Sequence, residues 1–235
     1  MKGKDLTERV YREIKRDLML KKIASSELFS EQMLADWYHC SRTPAREAAG
    51  RLVAEKYLNK YPSRGYIVRL PSEREMCEMR FCCYTMEKAA LSLALHNAYR
   101  EEFYSLLQLI DQEYTDPDLA YFSNMTFHYE LTKLSGNQTM VDYVERLHGL
   151  MIRGEHQPNY RGSTYLGQSQ PELQSGTLLN RDLDEERKNH RKIIEAMLDT
   201  DLHTAVVWLC HDYYPDLAIE VISEKPDSDY DLLHK

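Results

Sequence analysis

The chain has 235 residues, of which 43% are hydrophobic and 29% charged, a balance typical of folded globular proteins and not of disordered ones. Its net charge of -8 is uneven: residues 1–70 have 15 Lys and Arg against 9 Asp and Glu, whereas residues 71–235 have 15 against 29. A basic head on an acidic body indicates two modules, the first suited to a polyanion. The sequence shows no apolar run near the ~18 residues of a membrane span, no secretory signal and no disulfide framework, so we expect a cytoplasmic protein.

The basic head is predicted to form three helices and a β-hairpin. Apolar residues recur every fourth position from Leu6 to Leu18, the pattern of an amphipathic first helix. A short second helix is predicted from Ser30 and a third from Ser41, since Ser is a good N-cap. Two β-prone segments separated by a Pro-Ser-Arg-Gly turn predict the hairpin at residues 57–70.

From residue 72 onward the pattern is helical almost throughout. The fold class is therefore mostly α: a head of three helices and a hairpin over residues 1–70, then an all-α antiparallel helical bundle over residues 72–223. Residues 156–181, rich in Gly, Pro, Gln and Ser, are interpreted as an insert, and residues 224–235 as a frayed tail. The helices are predicted near residues 72–98, 100–114, 117–134, 138–153, 183–199 and 201–222.

The turn between the second and third predicted helices indicates nucleic-acid binding. Arg42 and Arg46 lie four apart on one face of the third helix, and the first turns of a recognition helix meet bases and phosphates in the major groove. Arg can bind guanine through two hydrogen bonds. Arg64 at the hairpin tip is a candidate contact of the wing. The alternative for two isolated Arg residues is a solvated helix face.

Residues 6–70 closely resemble the winged helix-turn-helix of GntR-family transcriptional regulators. The matching segments include residues 28–35, residues 64–68 and the specific run Ser-Arg-Thr-Pro-x-Arg-Glu-Ala at residues 41–48. The resemblance implies binding of double-stranded operator DNA as a homodimer. We expect Glu47 to pair locally with Arg51 one helical turn later instead of facing DNA. The DNA contacts that the resemblance implies are Arg42, Thr43, Arg46, Arg64 and Gly65.

Histidine spacing in the acidic body suggests a metal site. Asn124 and His128 are spaced i,i+4, and His190 and His211 lie on two later predicted helices. Three imidazoles that converge inside a helical bundle are a typical set of ligands for a divalent metal. The alternative is that each is an ordinary core or surface histidine, because nine His residues produce such pairs by chance.

The body also resembles the FCD-type effector domain of the FadR subfamily of GntR regulators. Matching elements include Arg80 within Glu-Met-Arg, the Glu-Lys-Ala-Ala run at residues 87–90, and the Leu-Ser-Gly-Asn run at residues 134–137. The resemblance implies a divalent metal, zinc before nickel or manganese, with Asn124 standing where metal-binding members have Asp. The metal ligands that it implies are Asn124, His128, His190 and His211.

Arg80 is the candidate anchor for a small carboxylate effector, because a planar guanidinium matches a carboxylate. Its alternative is a surface ion pair with Glu78 or a neighbour, and the alternative for the histidines is a polar pocket that binds an acid directly. The sequence thus predicts a ligand-responsive transcriptional regulator and not an enzyme. Two other functions stay open: a metal-dependent hydrolase with a helical-bundle site, and a DNA-binding protein whose body only dimerises.

Overall fold

A computed structural model describes residues 3–20, 22–112, 117–154 and 183–214. The predicted insert at 156–181 and the tail at 224–235 lie outside these ranges. The chain divides into two compact units, one of Met1–Ser72 with Ile152–Gly154 and one of Glu73–Met151 with Glu155–Lys235. The prediction of a mostly helical fold with a small N-terminal sheet is confirmed.

The first unit packs an amphipathic helix on a recognition helix. The predicted apolar stripe is buried, with Val10, Ile14 and Leu18 fully inaccessible to solvent. These side chains lie in the same small core as Ala45 and Leu52 of the third helix, which are also fully buried. The elements are α1 Gly3–Met19, β1 Leu28–Phe29, α2 Glu31–Trp37, α3 Arg42–Ala54, β2 Leu58–Tyr61 and β3 Gly65–Val68.

The three strands form an antiparallel sheet in the order β1-β3-β2. The hairpin of β2 and β3 was predicted, whereas the two-residue strand β1 was not, because two residues are too few to show a period of two. Gly65 is required at the start of β3: its φ is +116°, and a Cβ there would lie 2.3 Å from the carbonyl oxygen of Phe29. That close approach fixes the hairpin against β1.

The second unit is helical in every part that the structure describes. α4 packs on α6 and α9, and α5 packs on α6 and α8. A short turn with Thr200 at φ +59° joins α8 to α9, whose N-terminus is capped by the Asp201 carboxylate accepting from the Thr204 N–H at 3.0 Å. The helices are α4 Glu73–Asn97, α5 Arg100–Ile110, α6 Pro117–Lys133, α7 Gln138–Gly154, α8 Leu183–Leu198 and α9 Leu202–Tyr213.

The predicted boundaries differ from the observed ones mainly at two C-termini. α5 ends at Ile110 and not near residue 114, and α9 ends at Tyr213, whereas the sequence predicted a helix to residue 222. Residues 215–222 lie outside the described ranges. The core of this unit includes Met76, Leu91 and Phe127, all essentially inaccessible to solvent. In the residues that the structure describes, no helix is both long enough and apolar enough to cross a membrane.

Candidate functional site

The candidate DNA-binding side chains lie on the outside of the first unit. Arg42, Thr43 and Arg46 are exposed on the first two turns of α3, and Arg64 is exposed at the tip of the hairpin. Arg42 makes a long ion pair, with its guanidinium 3.7 Å from a Glu31 carboxylate oxygen. These side chains are therefore placed where a partner outside the chain can reach them.

The expected pair between Glu47 and Arg51 is wrong. Glu47 accepts a hydrogen bond from the Thr7 hydroxyl at 3.0 Å. Arg51 instead pairs with Glu8 at 2.7 Å and lies over the Tyr11 ring at 3.7 Å from its centroid. Both residues therefore bind the packed helix α1, whose partners replace the local i,i+4 contact on α3.

One candidate metal residue of the second unit, His128 of α6, lies at the centre of a buried polar cluster. His128 is 2% exposed. Its Nδ1 lies 2.7 Å from Glu87 Oε2 of α4, and its Nε2 lies 3.2 Å from Asp212 Oδ2 of α9. The ring is held between two carboxylates that come from different helices, so its orientation is fixed from both sides.

His190 of α8 approaches the same carboxylate from the other side. Its Nε2 lies 3.6 Å from Asp212 Oδ1, too far for a hydrogen bond, and its ring stacks on Phe127 with centroids 3.8 Å apart. Among the described residues, this buried Nε2 has no hydrogen-bond partner, and neither does Oδ1 of Asn124, one turn before His128. Buried polar atoms without partners are uncommon and are typical of a site that binds a ligand.

His211 is not part of this convergence, and the neighbouring Asp212 takes its place. A helix turns by about 100° per residue, so adjacent side chains point in different directions. Asp212 points toward His128 and His190, whereas His211 packs edge-on against Trp208 at 5.9 Å between centroids. The structure thus places the Asp212 carboxylate, and not the predicted His211, beside His128 and His190, while the buried Nδ1 of His211 has no hydrogen-bond partner among the described residues.

Three further side chains of the cluster were not among the predicted site residues. Glu87 is fully buried, and its Oε1 accepts a hydrogen bond from the Tyr213 hydroxyl at 2.6 Å. His148 of α7 places its Nε2 2.9 Å from that hydroxyl and 3.3 Å from Glu87 Oε1. The available signal was Glu87 itself, an acid on the apolar face of α4 between Cys83 and Ala90.

The charges of the cluster follow from its burial and its internal partners. Burial opposes charge on His128, but the carboxylates of Glu87 and Asp212 raise its pKa to about 10. Burial also opposes charge on Glu87, yet His128 and His148 lower its pKa to about 2. Burial lowers the pKa of His148 and of His190. Near neutral pH the cluster thus contains one imidazolium between two carboxylates, flanked by two neutral imidazoles.

The candidate ligand atoms lie close enough together to bind one metal ion. One atom each from His128, His190 and Asp212 lies within 4.8 Å of the others, and the two closest separations to the carboxylate are 3.2 and 3.6 Å. Ligands about 2.0 Å from a tetrahedral metal lie about 3.3 Å apart. Glu87, His128 and His148 form a second such group, but there Glu87 bonds directly to His128, as an outer carboxylate does to a metal-binding histidine.

Arg80 is buried on α4, on the same face as Glu87 and seven residues before it. Seven residues of helix rise about 10 Å, so the backbone of Arg80 lies about two turns from that of Glu87. Arg80 is buried and not on the surface, and Glu78 pairs with Arg74 at 2.8 Å.

Comparison with protein families matches both units. A family described as "Bacterial regulatory proteins, gntR family" matches residues 6–68, and one described as "FCD domain" matches residues 75–211. The chain is also similar to the "HTH-type transcriptional regulator McbR" of Escherichia coli (strain K12). The two are 26% identical over 161 residues, which cover 66% of this chain and 73% of that protein.

Solved structures share the fold. The structure titled "E. coli McbR/YncC" superposes with a TM-score of 0.67 at 19% identity, covering 94% of this chain and 99% of that one. A putative transcriptional regulator GntR from Rhodococcus sp. RHA1 gives a TM-score of 0.66 at 18% identity, covering 92% and 96%. At these identities the likeness shows the fold alone.

Proposed function

The chain belongs to the GntR family of bacterial regulatory proteins, with an FCD domain as its second unit, and from that premise we propose that it senses a small carboxylate through a divalent metal. It is a DNA-binding transcriptional regulator and not an enzyme. We propose that it acts in the cytoplasm, where the DNA is, and that the ligand changes the affinity of the first unit for an operator.

The proposed DNA contacts are Arg42, Thr43 and Arg46 of α3 with Arg64 and Gly65 of the wing. Exposure of the three α3 side chains on consecutive turns supports their insertion into a major groove. Arg64 at the exposed hairpin tip suits a phosphate or a minor-groove contact. Gly65 also has a structural role, because its conformation holds the wing against β1.

The proposed metal ligands are His128, His190 and Asp212, with Asn124 Oδ1 as a fourth donor. The observation on which the proposal depends is the partnerless, buried Nε2 of His190 beside the Asp212 carboxylate. Two imidazoles and two oxygen donors suit zinc first, with nickel and manganese as alternatives, and metal binding would displace the Nε2 proton of His128. A bound metal would supply a Lewis-acidic position at which a carboxylate ligand can coordinate.

Three residues around the proposed site have separate roles in this proposal. Asp212 supplies the negative charge that Asn124 lacks, so the carboxylate of the site comes from α9 and not from α6. Phe127 stacks on His190 and excludes water from one side of its ring. Arg80, deeper along the buried face of α4, is proposed as the anchor for the effector carboxylate.

We also propose that the protein is a homodimer that pairs through α4. Between residues 81 and 93, the exposed residues of this helix carry no charge. Phe81 and Leu93 are 36% and 37% exposed, so this uncharged surface of α4 also offers large apolar side chains to a second copy. A dimer would supply one recognition helix for each half-site of a paired operator.

The experiment uses chelator-treated protein, with and without reconstitution by zinc, in a thermal-shift screen of small carboxylates. We expect carboxylates to raise the melting temperature of zinc-loaded protein only, because binding to the folded state stabilises it by mass action. His211→Ala should behave as wild type, whereas Asp212→Ala should lose the zinc-dependent shift. Equal shifts with and without zinc would show an acid-binding pocket without metal. A hit must also change operator affinity, since regulation requires differential binding.

A further inference from the structure

The second unit contains a carboxylate that the proposed metal site does not use as a ligand. Glu87 of α4 is fully buried. Burial of an ionised carboxylate costs several kcal/mol unless every oxygen has partners, so its retention needs a reason. Its two oxygens have different partners: Oε2 contacts His128, and Oε1 contacts Tyr213 and His148.

The contact of Oε2 determines which nitrogen of His128 faces the ligand group. A carboxylate accepts hydrogen bonds only, so the 2.7 Å contact requires a proton on Nδ1 of His128. The other nitrogen, Nε2, then faces Asp212 and is the atom that can bind a metal once it has lost its own proton. Without the acceptor at Glu87, both tautomers of the neutral ring are accessible, and the ring can turn away from the ligand group.

The contact of Oε1 fixes a second side of the site. Tyr213 donates to it at 2.6 Å, and Tyr213 directly follows Asp212 on α9. One carboxylate of α4 therefore holds a ligand of α6 through Oε2 and the helix of another ligand through Oε1. His148 stacks on His128, with 5.0 Å between ring centroids. Its Nε2 also lies 3.3 Å from Glu87 Oε1.

We infer that Glu87 is a positioning residue of the metal site: its carboxylate holds His128 in the Nδ1–H form and thereby aims Nε2 at the metal. This inference rests on the proposed metal function. In this inference Glu87 is not itself a metal ligand. Tyr213 and His148 hold the Glu87 carboxylate in place. A carboxylate behind a metal-binding histidine keeps the ring in one orientation and increases its basicity as a ligand.

The test compares wild type with Glu87→Gln, which has nearly the same volume but no fixed acceptor charge. Tyr213→Phe is the matched control, because it removes the other hydrogen bond of Glu87 and leaves the contact with His128. The zinc affinity of the full chain is measured by competition with a chromophoric chelator. The protonated nitrogen of each histidine in the zinc-loaded protein is identified from imidazole ¹⁵N NMR, and the fold is checked by thermal melting.

We expect zinc-loaded wild type to show His128 with Nδ1–H and metal-bound Nε2. Glu87→Gln should lose roughly 10–100-fold in zinc affinity and weaken the Nδ1–H hydrogen-bond signature, and Tyr213→Phe should lose much less. Zinc bound through Nδ1 in wild type would overturn the inference even if Glu87→Gln failed to fold. So would unchanged affinity in Glu87→Gln, or an equal loss in Tyr213→Phe. Wild type that binds no zinc would overturn the proposed function as well.

Discussion

The two units place their candidate functional residues in opposite environments. In the first, Arg42, Arg46 and Arg64 are exposed on a small packed scaffold. In the second, His128 and Asp212 are buried, and each contacts other members of the same cluster. A surface residue that contacts an outside partner can change without unfolding the protein. A residue in a closed buried network is needed both for the ligand and for the fold.

The largest expected effect is on the stability of the helical unit. His128→Ala leaves the buried carboxylates of Glu87 and Asp212 without their shared imidazolium, which we expect to cost about 3–5 kcal/mol of unfolding free energy. Urea unfolding of chelator-treated protein measures it. His211→Ala is the matched control on the helix that bears Asp212, and its cost should be much smaller. Similar losses in both variants would contradict the buried network.

The first unit should show the converse behaviour. Arg46→Ala should weaken operator binding by about 1–3 kcal/mol while leaving stability unchanged, because the side chain is exposed on the recognition helix. Arg51→Ala is the matched control on the same helix, since its pair with Glu8 and its stacking on Tyr11 are internal. It should lower stability more than DNA affinity. Binding and melting assays measure both effects. The opposite result, in which Arg46→Ala mainly lowers stability and Arg51→Ala mainly lowers DNA affinity, would contradict this comparison.

The sequence predicted the first unit better because its signals are local. The stripe of Val10, Ile14 and Leu18, the cap at Ser30 and the turn at Gly65 each depend on residues a few positions apart, and all are observed. The long helices of the second unit were also predictable from periodicity. Their ends depend on contacts made by the last turn, which explains the shorter α5.

The buried cluster was only partly predictable because it depends on how helices rotate against one another. His128 and His190 were found from spacing and resemblance, but spacing could not decide between His211 and Asp212, which differ by about 100° in direction. Glu87 and His148 meet across 61 positions of sequence. No local pattern encodes such a contact, although an acid on an apolar helical face is a signal of a buried partner.

A pH profile of metal-free protein tests the charges of the cluster. His128, with its raised pKa, contributes stability that is complete below its unfolded pKa of about 6.5 and is lost as pH rises toward 10. His148 and His190, with lowered pKa values, cost stability as pH falls below about 6.5. The contribution of Glu87 is complete above about pH 4.5 and is lost toward pH 2.

We therefore expect the melting temperature of chelator-treated protein to peak near pH ~6.5 and to fall on the alkaline side. His128→Ala should lose the alkaline decline, because the group responsible for it is gone. A melting temperature that rises steadily from about pH 6.5 to 9 would contradict a buried imidazolium.

The smallest expected effect concerns Gly50, which is exposed within α3. A Cβ built there meets no atom within 4 Å, so the fold does not require glycine at this position. Gly50→Ala should stabilise the protein by about 0.5–1 kcal/mol through helix propensity. Urea unfolding measures this gain in free energy. A loss of stability would contradict the finding that a Cβ at residue 50 has open space around it. A simultaneous loss of operator affinity would place this part of α3 against DNA.

The most direct test of the central claim is the metal content of three full-length proteins after reconstitution with zinc and removal of excess ion. Wild type and His211→Ala should each retain about one equivalent per chain, whereas Asp212→Ala should retain almost none. Elemental analysis by mass spectrometry gives the values directly. Retention by Asp212→Ala, loss from His211→Ala, or less than about a tenth of an equivalent in wild type would contradict a metal site built from His128, His190 and Asp212.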